Sequence, residues 1–95
     1  MTELGPVIVQ FTRNLHRHVA CPTGRYTGAT VAEVLGAYFG DHPDVRHYVL
    51  DDQGAVRRHV TVFVGGATIN DRDRLTDVVG PGEEIYVMQA LSGGV

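Results

Sequence analysis

The sequence predicts an α+β domain of two layers, a mixed sheet of four to five strands with one main helix packed on one face. Three observations carry that expectation. A single amphipathic helix is marked at both ends. Several β-rich segments alternate in hydropathy. The order is strand, strand, helix, then two or three strands, with no internal repeat or linker in 95 residues. A chain of that length makes one domain. A helix with one apolar stripe must be covered, and an alternating sheet offers the matching surface.

Val7-Ile8-Val9-Gln10-Phe11 is β-rich and partly alternating, and predicts the first strand. Arg13-Asn14 reads as a turn, and Leu15 to Cys21 as a second strand closing a hairpin. Pro22, Gly24 and Gly28 mark a loop. The helix follows over residues 30–39. Thr30 can cap it, and Glu33 three residues on completes a capping box. Val31, Val34, Leu35 and Tyr38 form its apolar stripe, and Gly40 and Pro43 stop it. Gly36 costs about 1 kcal/mol relative to alanine; close approach to a sheet would be the reason to keep it.

His47 to Leu50 reads as a short strand, 51–54 as a turn, and Val56 to Val64 as the best strand of the chain. Gly65-Gly66 reads as a turn and ends that strand; residues 71–79 form a loop with a short helical turn; Gly80-Pro81-Gly82 is a turn; Ile85 to Ala90 is the final strand. Alternation places Val7, Val9, Val60, Val62, Ile85 and Val87 beneath the helix. Tyr86, Met88 and Phe63 then point the other way, to the wet face.

The composition bounds the function. A net charge of −3 argues against nucleic-acid binding. No apolar run approaches the roughly 20 residues of a membrane helix. Met1 is not followed by a cationic and then apolar leader, and the lone Cys21 permits no internal disulfide, so the expected compartment is the cytoplasm. All eight basic residues are arginine. A guanidinium is a poor nucleophile, so no side-chain amine is present to accept an activated carboxylate of the chain itself. Coding bias toward arginine is the plainer explanation of that composition.

Candidate chemistry inside the domain is thin. His16 and His18 would share a face of the second strand, but no third ligand is placed, so no metal or other cofactor is expected. Cys21 reads as a small core residue. No Ser/His/Asp spacing, phosphate loop or paired CxxC is present. The chain is not expected to be an enzyme.

The last third carries a resemblance. Val60-Thr61-Val62-Phe63-Val64-Gly65-Gly66, then Gly82-Glu83-Glu84-Ile85-Tyr86-Val87, then Ser92-Gly93-Gly94, resembles the ThiS/MoaD family of sulfur carriers, which have the ubiquitin-like β-grasp fold. The likeness covers residues 6–94. The segment around Arg46–Arg58 makes the chain look most like the carrier of thiocarboxylate-dependent cysteine synthesis. The resemblance implies a β-grasp domain over residues 1–90 and a flexible C-terminal tail over 91–95.

It also implies that an ATP-dependent adenylating enzyme of ubiquitin-activating type acts on the carboxylate of Gly94, with Gly93 beside it. The product would be a thiocarboxylate used by a sulfur-accepting synthase. Glycines suit such an arm, because without Cβ they thread a narrow channel. The four residues from Leu91 to Gly94 reach roughly 13–14 Å when extended.

Phe63, Tyr86, Met88 and Leu91 are the implied partner-binding residues. Two departures stand out. Val95 follows the Gly-Gly pair, so removal by a JAMM-type metalloprotease is expected, and Pro81-Gly82-Glu83-Glu84 replaces the usual Asp-Gly-Asp turn. Two other readings stay open: a noncovalent β-grasp interaction module, and a ubiquitin-like modifier joined to other proteins.

Overall fold

A computed structural model describes residues 5–89. The order of elements is β1 (Val7–Phe11), α1 (Arg13–His16), β2 (Gly24–Tyr26), α2 (Val31–Asp41), α3 (Pro43–Val49), β3 (Val60–Val64), β4 (Ala67–Thr68) and β5 (Glu84–Gln89). The five strands form one mixed sheet in the order β2-β1-β5-β3-β4. β1 and β5 run parallel, and the other pairs are antiparallel. The α+β expectation holds, and α2 is the main helix.

The six residues expected beneath α2 are all buried, with Val62 and Val87 at 0% exposure. Val31, Val34, Leu35 and Tyr38 meet them from the helix. Each such side chain contributes about 1.5–3 kcal/mol through burial. The start of α2 is fully capped. Glu33 N–H donates to Thr30 Oγ1 (3.2 Å), and Ala29 N–H donates to the Glu33 carboxylate (2.8 Å). Val31 and Ala32 donate to the carbonyls of Asp77 and Leu75, and Val34 to that of Thr30. The first four N–H groups of a helix have no partner within it, so the 71–79 loop supplies two of the acceptors. Leu75 holds φ +56° to do so, with its side chain buried.

Several sequence expectations are corrected. Leu15 to Cys21 is not a strand. Residues 13–16 make the short helix α1, on which Leu15 is buried, and Val19, in the bend after it, packs half-buried against the same core. The strand that pairs with β1 lies at Gly24–Tyr26, in the expected loop. Gly24 is needed there: a Cβ would sit 2.7 Å from the ring of Tyr26. Residues 47–50 are not a strand either. Pro43 opens α3 at its first turn, where its missing N–H costs nothing, and Val45 and Val49 are buried one turn apart. α2 runs through Gly40 to Asp41.

The strand expected over Val56–Val64 is formed only from Val60. The guanidinium of Arg72 donates to the carbonyls of Val60 (2.8 Å), Arg57 (2.7 Å) and Val56 (3.4 Å), which holds the preceding segment out of the sheet. Gly36 faces open space, not the sheet. The last described strand residue is Gln89.

Two turns match expectation. Gly65 and Gly66 both have positive φ (57° and 90°) and join β3 to β4 in a two-residue hairpin. Gly82, at φ +82°, follows Pro81 in the turn before β5.

Neighbouring residues of α2 should respond in opposite ways. Leu35→Ala leaves a core cavity and should destabilise by about 2–5 kcal/mol. Gly36→Ala fills nothing and relieves helix-interior entropy, so it should stabilise by about 0.5–1 kcal/mol. Urea unfolding of both variants checks the contrast. Acid sensitivity has a defined source. Asp71 accepts from Thr76 Oγ1 (2.6 Å) and from backbone N–H groups of Arg74 and Asp73, which lowers its pKa below the ordinary value. A lowered folded-state value gives stability that is present above the unfolded-state pKa. That stability is lost as pH falls through the folded value. Thermal midpoints should therefore drop below about pH 4, and less steeply in Asp71→Asn.

Candidate functional site

One face of the sheet lies under α2, and the other is open. Side chains alternate along each strand, so partners in register share a face. Tyr86 of β5 stands opposite Phe63 of β3 and beside Gln10 of β1. Phe63 in turn pairs with Thr68 of β4. Gln10, Tyr86, Phe63 and Thr68 thus form one row across the open face. The Phe63 and Tyr86 rings lie 6.4 Å apart at 46°, an aromatic cross-strand pair. Met88 is 36% exposed and pairs with Thr61 one row on. Gln10 hydrogen-bonds Glu84, so polar contacts bound the patch on the β1 side.

Three of the four expected partner-binding residues are therefore together on the open face. The fourth, Leu91, lies outside the described residues, as do Gly93, Gly94 and Val95. The last described residue of β5 is held in place. Thr12 N–H donates to the Val87 carbonyl, Gln89 N–H donates to Thr12 Oγ1 (3.2 Å), and Asn14 Nδ2 donates to the Gln89 side chain (3.4 Å). Val60 flanks Gln89 from the other side. The chain that leaves β5 starts from a braced residue beside Met88. Sequence reasoning does not single out Thr12 and Asn14 for this role. Their signal is slight, two polar residues directly after a strand.

The other candidates separate. His16 lies on α1 and His18 in the turn after it, so they do not share a strand face. His18 stacks with Tyr48 at 6.2 Å. Among the described residues no group of three His, Cys, Asp or Glu could hold a metal. Cys21 is buried, and burial raises its thiol pKa, which suits a core residue and not a nucleophile. Tyr38 is buried as well; its hydroxyl donates to the Pro22 carbonyl (2.7 Å), and burial pushes its pKa up. No described helix is long and apolar enough to cross a membrane.

Comparison with solved structures agrees with the topology. The chain is similar to SAMP1, small archaeal modifier protein 1, from Haloferax volcanii. The identity is 26% and the TM-score 0.79, over 95% of this chain and 100% of that one. It is similar to a chain of the Amycolatopsis orientalis BexX/CysO complex, at 21% identity and TM-score 0.77, over 93% and 99%. It is also similar to Urm1 from Trypanosoma brucei, at 18% identity and TM-score 0.68, over 99% and 100%. No family model and no curated protein matches the sequence. The fold is the ubiquitin-like β-grasp, shared along nearly the whole chain with these proteins.

Phe63 and Tyr86 are half-buried on the open face and lie outside the core cluster. Phe63→Asp and Tyr86→Asp should therefore keep the native far-UV spectrum and a cooperative thermal transition. If this face docks, each should weaken binding to the docked partner about tenfold or more, the loss of an aromatic anchor. Unchanged affinity in both, measured by calorimetry, removes the patch from the interface.

Proposed function

We propose that this chain is a carrier of the sulfur-carrier and ubiquitin-like modifier group, and that it acts through the carboxylate of Gly94 once Val95 has been removed. The observation that carries this reading is one of position. In a ubiquitin-like β-grasp chain, Gly93-Gly94 follows four and five residues after Gln89, the braced end of the middle strand. The ThiS/MoaD resemblance of the last third supplies the chemistry.

The Gly94 carboxylate attacks the α-phosphorus of ATP within a ubiquitin-activating-type enzyme. The bond between the α and β phosphates breaks, pyrophosphate leaves, and an acyl-adenylate forms. A sulfur nucleophile of the hydrosulfide or persulfide class then attacks the acyl carbon and AMP leaves. A persulfide must also be cleaved by a thiol to release the thiocarboxylate. A synthase accepts that sulfur. This chain contributes the arm and the docking face, Phe63, Tyr86 and Met88 with Leu91 beyond them, and the enzyme contributes the catalysis.

Val95 conflicts with a channel shaped for glycine, because a β-branched residue is stiff beside the reacting carbon. A JAMM-type metalloprotease that removes it would make the encoded chain a precursor. A second reading is favoured by the likeness to SAMP1, a modifier by name at 26% identity. In that reading the activated Gly94 is joined to a lysine of a target protein.

The test compares the full-length chain with one ending at Gly94, each mixed with the cognate adenylating enzyme and ATP. Pyrophosphate release from the shortened chain alone supports a precursor. Equal release shows that Val95 is accepted. No release from either, with an enzyme of verified activity, defeats the carrier reading and leaves a noncovalent module. Adding hydrosulfide should then raise the mass of the shortened chain by about 16 Da, oxygen exchanged for sulfur. A lysine-linked adduct in its place favours the modifier.

A further inference from the structure

The net charge of −3 conceals a strong separation of charge. No Asp or Glu occurs between Val7 and Ala32, nor over residues 45–50 or 53–70. The fold gathers three basic stretches of those segments at one place. Arg13, His16, Arg17 and His18 lie on α1 and the turn after it; His47 is on α3; Arg57, Arg58 and His59 lead into β3. These four arginines and four histidines are all exposed.

Specific contacts close the group. Tyr48 Oη donates to the His18 carbonyl (3.4 Å), and its ring stacks with those of His18 (6.2 Å) and His47 (5.2 Å). Arg57 Nε donates to the His47 carbonyl, and Arg57 N–H to that of Val49. Asn14, beside Arg13, holds Gln89, and His59 precedes Val60, which is paired with Gln89. The basic group therefore flanks Gln89, the end of β5, on both its sides. Glu83 and Glu84 stand at the other end of that strand. Of the carboxylates, Asp51 is the one whose pKa Arg57 helps to lower, so Arg57 is partly compensated.

We infer that this basic collar is a second docking element, and that it meets an acidic surface around the mouth of the channel that takes the tail. The inference rests on the carrier reading above, because any protein that receives the arm must approach these side chains. Exposed charges at a rim act mainly on the encounter, steering it and making it dependent on salt. The open face would then set how long the complex lasts, and the collar how fast it forms. At physiological ionic strength such attraction reaches about 8 Å, so it orients the tail at close range.

The experiment is a stopped-flow measurement of association between the chain ending at Gly94 and its adenylating enzyme, in 50 to 300 mM NaCl. The collar variant is Arg17→Gln with Arg58→Gln, one residue from each side of the exit. Arg57 is left intact because its Nε holds the His47 carbonyl. The control is Arg46→Gln with Arg74→Gln, which removes the same charge from the groove beside α2. Thermal midpoints of both variants verify the fold.

The wild type and the control should lose about tenfold in association rate across the salt range. The collar variant should start about threefold to tenfold slower and change little with salt, with its dissociation rate unaltered. A salt slope equal to that of the control overturns the collar, and so does a collar variant in which only dissociation changes. Pyrophosphate release at saturating carrier is read in parallel. Its absence from every form defeats the carrier reading itself, while normal release with an unchanged salt slope defeats the collar alone. Binding of tRNA, in the absence of enzyme, that is lost only in the collar variant would assign the patch to nucleic acid and also overturn it.

Discussion

β5 comes last among the strands and lies in the middle of the sheet. β1 and β2 form one half, β3 and β4 the other, and the two halves are joined only through β5. Its parallel ladder to β1 and antiparallel ladder to β3 place Ile85 and Val87 at the centre of the core, both at 0% exposure. The covered face, the open aromatic row and the departure of the tail all follow from this one insertion. The pairing of Val9 with Ile85 closes a loop of more than 70 residues. The entropy of that closure is offset only once the valine-rich faces of both halves are buried together.

Arg72 plays a comparable part for the segment before β3. A run from Val56 to Val64 has the composition of one long strand, but a guanidinium offers five donors in a fixed fork. Arg72 spends three contacts on the carbonyls of Val56, Arg57 and Val60, and its own carbonyl accepts from Val56 N–H (2.8 Å). The carbonyls of Val56 and Arg57 are thus satisfied without a ladder, and Arg57, Arg58 and His59 stand exposed at the sheet's end. A lysine could not make this fork.

Sequence alone made the centre of the fold legible and left its periphery obscure, for a physical reason. Val60, Val62, Ile85 and Val87 alternate on long strands, and Thr30 with Glu33 marks a helix by two reciprocal hydrogen bonds; these signals are local and strong. Leu15 and Val19 fit a strand or a helical turn equally well, and only the burial of Leu15 against the core decides between them. Pro43 has the look of a helix stop but serves as the start of α3. Gly24 resembles loop punctuation, whereas the ring of Tyr26, 2.7 Å from where a Cβ would stand, favours a residue without one. The open-face row of Phe63 and Tyr86 was legible because it is the complement of the core face. The brace of Thr12, Asn14 and Gln89 was not, because its partners are separated by more than 70 residues.

The position of β5 also has a mechanical meaning. A pull on the chain beyond Gln89, directed along β5, loads its two ladders lengthwise. The hydrogen bonds to β1 and β3 then share the force and must yield together, as in a lap joint. A strand at the sheet's edge pulled sideways would instead unzip one bond at a time. The N-terminal strand β1 lies parallel and adjacent to β5, so tension between the two ends of the domain is again shear. A domain built this way can bear a load applied at the end of β5 while its body stays folded.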